Sequence, residues 1–597
     1  MLSDDINLFN NAITQLFDKH APLRPVKKKH LPAPWLTTEL KTLLKKKNRA
    51  KAKFMYAKSE TERDKYKLIR NRCSTLCRDA QRRHFHSSVE NGDPSKIWRF
   101  LKSLGVGKAS QSLSSSNIDI NLLNNHFSSS STLDEISKQS TLSNLSSLPT
   151  PNFPPFLFKQ FTDCDVKKNV LSIASNAIGC DLIGLLERLV HHQLSSFIYS
   201  NSILSPFQSG FRPGHSTATA LVKVTDDIRS AMENKQLTVL TLLDFSNAFN
   251  TVDTDIMLGL LRSINISPTV IGWFQSYLRG RRQRILLDGK HSSWCDVVAG
   301  VPQGGVLSPL LFSIFINSLT SRLTSLYHMY ADDVQIYTHA TLDDLPNAIH
   351  STNVDLAAVV AWSKQFGLKI NPSKSQGIVI GSPHLTSGVD WNTLPAVVIS
   401  GVIIPYSKAV KNLGVHFDTS LSWTEHLQEV SRKLFASFGS LRRLQSFLPI
   451  PTKITLAQSL LFPILDYADA CFPDITEEQL NKLERLQNVC IRFVFGLRKF
   501  DHVSTFRKKL KWLPIRFRRN LHILQILYRI LFDPRTPDYL KEKVDLLSCE
   551  NYTLRSIDRL LLRVPSHSSV FYGKSFAVTA VKLWNSLPVE ISIFIYG

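Results

Sequence analysis

His328-Met329-Tyr330-Ala331-Asp332-Asp333-Val334-Gln335-Ile336-Tyr337 sets two adjacent carboxylates and one small residue between runs of β-branched and aromatic side chains. That composition reads as two short strands joined by a tight acidic turn. Neighbours on a strand point to opposite faces, so Asp332 and Asp333 converge only if the turn reorients one of them. Asp pairs also occur at Asp4-Asp5, Asp226-Asp227 and Asp343-Asp344, where caps or solvated turns suffice. The apolar setting singles out Asp332-Asp333. A turn between buried strands does not carry two unpaired negative charges without cationic compensation, and two converging carboxylates invite a divalent cation.

Upstream, Val239-Leu240-Thr241-Leu242-Leu243 is an apolar run of strand length that ends in Asp244, and a helical pattern follows. Beside the hairpin, Asp244 completes a three-carboxylate cluster. Oxygen-only ligands of this kind suit Mg²⁺ rather than zinc or copper. Three stretches then resemble the palm motifs of reverse transcriptases, in the same order: Leu243-Asp244-Phe245-Ser246-Asn247-Ala248-Phe249, Gly300-Val301-Pro302-Gln303-Gly304 and Tyr330-Ala331-Asp332-Asp333. The match is with the non-LTR (LINE-like, Jockey-type) retrotransposon group.

The resemblance implies an α+β right-hand polymerase: a palm with an antiparallel sheet, reduced fingers, a helical thumb and helical basic extensions. It implies an RNA-directed DNA polymerase that joins dNTPs to a primer 3′-hydroxyl with two Mg²⁺ ions, Mn²⁺ being a possible substitute. Its partners would be an RNA template, a DNA primer or target, and dNTPs. Asp244 and Asp332 would bridge the ions and Asp333 would hold one of them or orient the primer end. Phe249 would lie under the sugar and collide with a 2′-hydroxyl, its plain alternative being a core aromatic. Gln303 and Gly304 would contact template and nucleotide through a loop that Pro302 stiffens. Gln208-Ser209-Gly210-Phe211-Arg212-Pro213-Gly214-His215-Ser216-Thr217 is similar to a fingers/palm motif, in which Arg212 would touch template or triphosphate or else sit in a surface turn. Lys374, in Asn371-Pro372-Ser373-Lys374, would lie near the leaving phosphates or simply be exposed at a strand end. Val410-Lys411-Asn412-Leu413-Gly414-Val415-His416-Phe417 resembles the primer-grip hairpin.

Composition agrees with a polyanionic partner. The 597 residues carry a formal net charge of +24 with a pI near 9.6. Basic residues are spread along the chain, which favours nucleic acid over a membrane surface. Eight scattered cysteines lack zinc-finger spacing, as in a reduced intracellular protein of nucleus or cytoplasm. No secretory signal and no run long enough to span a bilayer is evident.

In order, residues 1–108 read as a basic helical connector with interleaved aromatics, among them Lys27-Lys28-Lys29 and Trp35. No endonuclease precedes it, so the chain reads as the polymerase side of a longer ancestral protein. Residues 109–155, rich in Ser and Asn, read as a flexible linker. Residues 156–420 hold fingers and palm, 421–450 a thumb helix with Leu427, Val430, Leu434, Phe438 and Leu441 on one face, and 451–597 a helical basic region. Gly280-Arg281-Arg282-Gln283-Arg284 and the Asp288-Gly289 turn suggest a basic hairpin. Helices are expected over Ala218 to Met232 and Val354 to Gln365.

Three departures from the family pattern stand out. Asn250 and Ser318 replace the usual Asp. Asn176 to Ile183 opens the fingers in relatives, yet Gly184 to Val190 resembles a segment several dozen residues further on, as if a basic block were missing at Ile183-Gly184. The alternative reading is therefore a catalytically impaired nucleic-acid-binding remnant. A hydrolase using the same metals would leave the Pro302-Gln303-Gly304 loop and the primer-grip hairpin without a role.

Overall fold

The computed structural model describes residues 35–89, 119–128, 133–171, 183–287, 289–547 and 561–588. Lys27-Lys28-Lys29 and the family-like residues from Asn176 to Leu182 lie outside them, and Ile183-Gly184 forms the start of a helix, Ile183–Ser200. The chain divides into two compact units, Met1–Ala109 with Ser440–Ile454, and Ser110–Gly439 with Thr455–Gly597.

The first unit contains two packed helices, Thr38–Ala57 and Glu60–Val89. The Thr37 hydroxyl caps the first, and Lys58 ends it in the left-handed region at φ 48°. Leu40 and Cys73 are buried, whereas Phe54 stacks on Tyr66 at 6.2 Å. Tyr56 stays almost wholly exposed among the lysines.

The second unit is built on a four-stranded antiparallel sheet of β1 (Leu237–Leu243), β2 (Leu326–Tyr330), β3 (Asp333–Ala340) and β4 (Gln376–Ile380), in the order β4-β1-β3-β2. Alternation along the strands sends Leu237, Val239, Leu243, Val334, Ile336 and Val379 to one face. There they join Phe315 of the helix Ser308–Asn317 and Trp362 and Phe366 of the helix Leu345–Phe366. The opposite face is buried too, beneath the helix Thr217–Glu233, but is partly polar. Thr238 Oγ1 lies 2.9 Å from His339 Nδ1, Asn412 Nδ2 donates to Gln335 Oε1 at 2.7 Å, and Tyr337 Oη donates to Asp227 Oδ2 at 2.7 Å. Burial on both faces explains why β1 reads as an apolar run rather than an alternating one.

Most local expectations hold with extended ends. The helix Thr217–Glu233 starts with a capping box of Ser216 and Thr219. The helix expected over Val354 to Gln365 begins at Leu345, since Leu345, Ala348, Ile349 and Thr352 continue its buried stripe, and Gly367 ends it at φ 76°. The thumb stripe is buried at Leu427, Val430, Leu434 and Leu441 on the helix Thr424–Arg442. Among the described residues no helix is long and apolar enough to cross a membrane.

The linker expectation fails for the described part of residues 109–155. Two helices lie there, Ile120–Ser128 and Glu135–Ser146. Asp134 caps the second; Leu142 and Leu145 rest against Gly259, and Thr141 Oγ1 donates to Gln365 O at 2.9 Å. The Ser-rich composition hid a few buried positions that tertiary contact supplies with partners. The C-terminal region likewise packs back on the palm: the Asp226 carboxylate, fully buried, accepts from Phe576 N at 2.8 Å and Ala577 N at 3.0 Å and so caps the helix Phe576–Asn585.

Candidate active site

Leu243 pairs with Val334, and one further step of that register sets Asp244 beside Asp333 at the sheet's end. Beyond Leu243 the strand is held by other partners: Asn371 N donates to Asp244 O at 2.8 Å and Asp244 N to Ser375 Oγ at 3.3 Å. Asn247 at φ 50° then turns the chain into the short helical turn Ala248–Asn250. On the hairpin, Tyr330 pairs with Asp333, leaving Ala331-Asp332 as a two-residue loop with Ala331 at φ 56°. Hairpin loops of this size require positive φ, and for Ala it is a strained conformation held by its surroundings. Gly210 is one such restraint: a Cβ there would stand 2.2 Å from Ala331 N.

Like charges and burial shape the electrostatics. Burial, joined by the Asp244 charge, raises the Asp332 carboxyl above its ordinary value. Asp333 is pushed up to about 6 by burial, Asp332 and Asp244, against the opposing pull of Lys411. Asp244 Oδ2 is a buried oxygen with no hydrogen-bond partner, its nearest cation being Lys374 Nζ at 3.8 Å. Thus four residues expected together from the sequence, Asp244, Asp332, Asp333 and Lys374, are brought together.

Phe249 stacks on Phe312 at 4.2 Å and meets Phe211 edge-on at 6.0 Å, so it is partly exposed but anchored in the core. Val301 N donates to Phe249 O at 2.9 Å, which ties the Pro302-Gln303-Gly304 loop to that aromatic. Gln303 Nε2 donates to Asn250 Oδ1 at 2.8 Å, and Gly304 adopts φ 82°. Buried Glu187, just after Ile183-Gly184, accepts from Val306 N and from Tyr277 Oη, so the helix Ile183–Ser200 braces this loop. Ser318 accepts from Trp362 Nε1 at 3.0 Å, so both departures from the family's Asp have a hydrogen-bonding role. Arg212 is engaged elsewhere: its Nη1 donates to Ser205 O at 3.0 Å and its guanidinium lies 5.8 Å from the Tyr199 ring.

Sequence reasoning missed the groups that hold the hairpin from behind. Met329 N donates to Phe207 O at 2.9 Å and Ser209 N to Met329 O at 2.8 Å. Ser209 Oγ sits between His328 Nε2 at 2.9 Å and Tyr539 Oη at 3.0 Å. Burial drives the His328 pKa down to about 3, so this chain of hydrogen bonds is neutral. On β3, Tyr337 reaches Asp227, which also binds Lys223 and, at 3.0 Å, Lys543. Residues of the C-terminal region therefore buttress both strands of the acidic hairpin. Only the ordinary signals of a buried helix precede Tyr539 and Lys543 in the sequence.

Asp466, Asp469 and His522 bring three ligand atoms within 4.8 Å of one another. Arg518 takes both Asp466 oxygens and His522 Nδ1 lies 2.8 Å from Asp469 Oδ2. That cluster is a satisfied ion-pair network tying the helix Ile515–Phe532 to residues 466–469.

Comparison with known proteins agrees with this geometry. Residues 182–417 match the family model described as reverse transcriptase (RNA-dependent DNA polymerase). The chain is 28% identical over 336 residues to a probable RNA-directed DNA polymerase from transposon X-element of Drosophila melanogaster, covering 55% of this chain and 36% of the relative. It is 27% identical over 339 residues to the RNA-directed DNA polymerase from mobile element jockey of the same species, with the same coverage. The chain thus spans about a third of the length of these curated relatives. A solved telomerase from Candida albicans, in complex with a fragment of telomeric RNA, aligns at a TM-score of 0.31 and 12% identity over 60% of this chain and 57% of its own. Asp244, Asp332 and Asp333, at the end of the four-stranded sheet, thus lie within the residues, 182–417, that are similar to reverse transcriptases, among them the polymerases of the X-element and jockey transposons.

Proposed function

We propose that this chain catalyses RNA-directed DNA synthesis, adding dNTPs to a primer 3′-hydroxyl on an RNA template. The observation that carries this reading is the placement of Asp244, Asp332 and Asp333 at one sheet end, with a buried Asp244 oxygen lacking a hydrogen-bond partner, the Asp332 carboxyl raised by burial and the Asp244 charge, and the Asp333 carboxyl raised by burial and the charges of Asp332 and Asp244. Such a donor set fits hard, oxygen-seeking cations, and Mg²⁺ above others. When bound, such ions supply activation of the 3′-hydroxyl and neutralisation of the leaving pyrophosphate. Asp244 and Asp332 would hold them and Asp333 would share one.

The remaining roles belong to the chain itself. Phe249, backed by Phe312, forms a rigid floor for the sugar, and a 2′-hydroxyl would collide with it. Lys374, 3.8 Å from Asp244 and largely exposed, is free to pair with the triphosphate when substrate enters. Gln303 and Gly304 offer polar and backbone contacts to the nucleotide and the template base. Arg212 supports the motif rather than the substrate, through Ser205 and Tyr199.

The test is metal-dependent extension of a DNA primer on an RNA template by Asp332→Asn protein. Loss of the charge at unchanged shape should lower incorporation by about two orders of magnitude or more, with nucleic-acid binding retained. Undiminished extension would overturn the assignment. Binding by the parent chain without any extension would instead support the remnant reading suggested by the junction at Ile183-Gly184.

A further inference from the structure

The hairpin leading into the Pro302-Gln303-Gly304 loop carries a feature that the catalytic reading leaves unused. At its base Arg282 pairs with Asp296 and Gln283 with Cys295. At its tip Leu286 pairs with His291 and Leu287 with Lys290, and Ser292 N donates to Ile285 O at 2.9 Å. Between these two registers the incoming strand has one residue, Arg284, and the outgoing strand two, Ser293 and Trp294. Two residues opposite one make a β-bulge, which bends the strand and re-aims a side chain. Here Trp294 is 56% exposed, with the Arg284 guanidinium 4.7 Å and that of Arg282 6.0 Å from its ring centroid.

The bulge is locked by the helix Ile120–Ser128. Asn124, fully buried, donates from Nδ2 to Ser293 O at 2.8 Å, Ser293 N donates to Asn121 Oδ1 at 2.9 Å, and Cys295 Sγ donates to Asn125 Oδ1 at 3.1 Å. A buried, hydrogen-bonded Asn beneath the bulge fixes the strand on which the exposed indole sits. Arg282, Arg284 and Lys290 carry no ion pair among the described residues. The outgoing strand then runs to Val301, whose N–H is bonded to Phe249.

We propose that Trp294, flanked by Arg282 and Arg284, is a stacking site for unpaired bases of single-stranded nucleic acid. An indole face can receive a base only when that base is not stacked in a duplex. The two guanidiniums beside the ring supply phosphate contacts. Charge complementarity with a chain of net charge +24 selects a polyanion over an apolar protein partner. Placing that strand as the unpaired template beside the catalytic cleft rests on the polymerase reading; the stacking itself does not.

The test is made in Asp332→Asn protein, so that nothing depends on turnover. Binding is read by fluorescence anisotropy on an RNA–DNA hybrid with an RNA overhang of about ten nucleotides, and on the same hybrid blunt-ended. Trp294→Ala should weaken overhang binding about tenfold or more while changing blunt binding by less than about twofold, and Trp294→Phe should restore most of the loss. Replacing Arg282 and Arg284 by Gln should lower the slope of log affinity against log salt on the overhang by about 1.4. A 2-aminopurine in the overhang should lose its quenching with Trp294→Ala. Overhang affinity unchanged in Trp294→Ala, or an equal loss on blunt and overhung hybrids, overturns the proposal. If the parent chain fails to extend primers yet discriminates the overhang through Trp294, the polymerase reading falls and the stacking site stands.

Discussion

Gly210→Ala tests whether the acidic hairpin is positioned from behind. A Cβ at 210 would lie 2.2 Å from Ala331 N and 2.8 Å from Ala331 Cα, where ordinary contact begins at 3.4 Å, so the two segments must part by more than an ångström. Neither can recoil freely. Ser209 and Phe207 are bonded to Met329, and Ser209 also to His328 and Tyr539, while the obstructing atoms are backbone. Ala331 adjoins Asp332, so the displacement reaches a proposed metal ligand directly. Misplacing a reacting group by about 1 Å costs on the order of 100-fold in rate, and the overpacking itself should cost about 1–3 kcal/mol of stability. Single-turnover dNTP incorporation at saturating primer-template measures the first and thermal melting the second. Gly439→Ala, where no atom lies within 4 Å of the new Cβ, is the matched control. A folded Gly210→Ala protein that incorporates dNTPs at close to the parental rate would refute the claim that this approach sets the hairpin.

Tyr539→Phe removes one hydrogen bond to Ser209 and should cost about 0.5–1.5 kcal/mol in denaturant melts; Tyr539→Ala empties the space between Phe207, His215 and His328 and should cost about 3–5 kcal/mol. Lys543→Met removes the cation shared by buried Asp226 and Asp227, leaving Asp227 with Lys223 and Asp226 with two backbone donors, and should destabilise by at most about 3–5 kcal/mol, although the residue lies far outside the matched residues. The Asp333 carboxyl, raised to about 6, binds its proton more tightly folded than unfolded, so its contribution to stability is full below about pH 4 and lost as pH rises through 6. In EDTA, melting temperature should therefore fall over that window in the parent and fall less in Asp333→Asn, and added Mg²⁺ should restore the parent above pH 6 but not the variant; identical profiles for both would remove Asp333 from the charge cluster.

The acidic end of the sheet is encoded locally. Asp244 closes an apolar run, and Ala331-Asp332 fills a loop between two runs, so strand, turn and carboxylate are encoded within a few residues of one another and local chemistry suffices to read them. The basic hairpin was legible through its turn residues, and the helix Thr217–Glu233 as a helical pattern over Ala218 to Met232. What holds those elements in place was settled by tertiary structure alone. Ser209 lies 119 residues from His328 and 330 from Tyr539, and Lys543 lies 316 from Asp227; no periodicity in one segment encodes a hydrogen-bond partner in another. The helices Ile120–Ser128 and Glu135–Ser146 were hidden in a Ser-rich stretch because each buries few side chains of its own, and Asn124, the residue that locks the bulge under Trp294, is polar and resembles its solvated neighbours. Its burial comes from the hairpin folding over it, a contact made between residues 124 and 293.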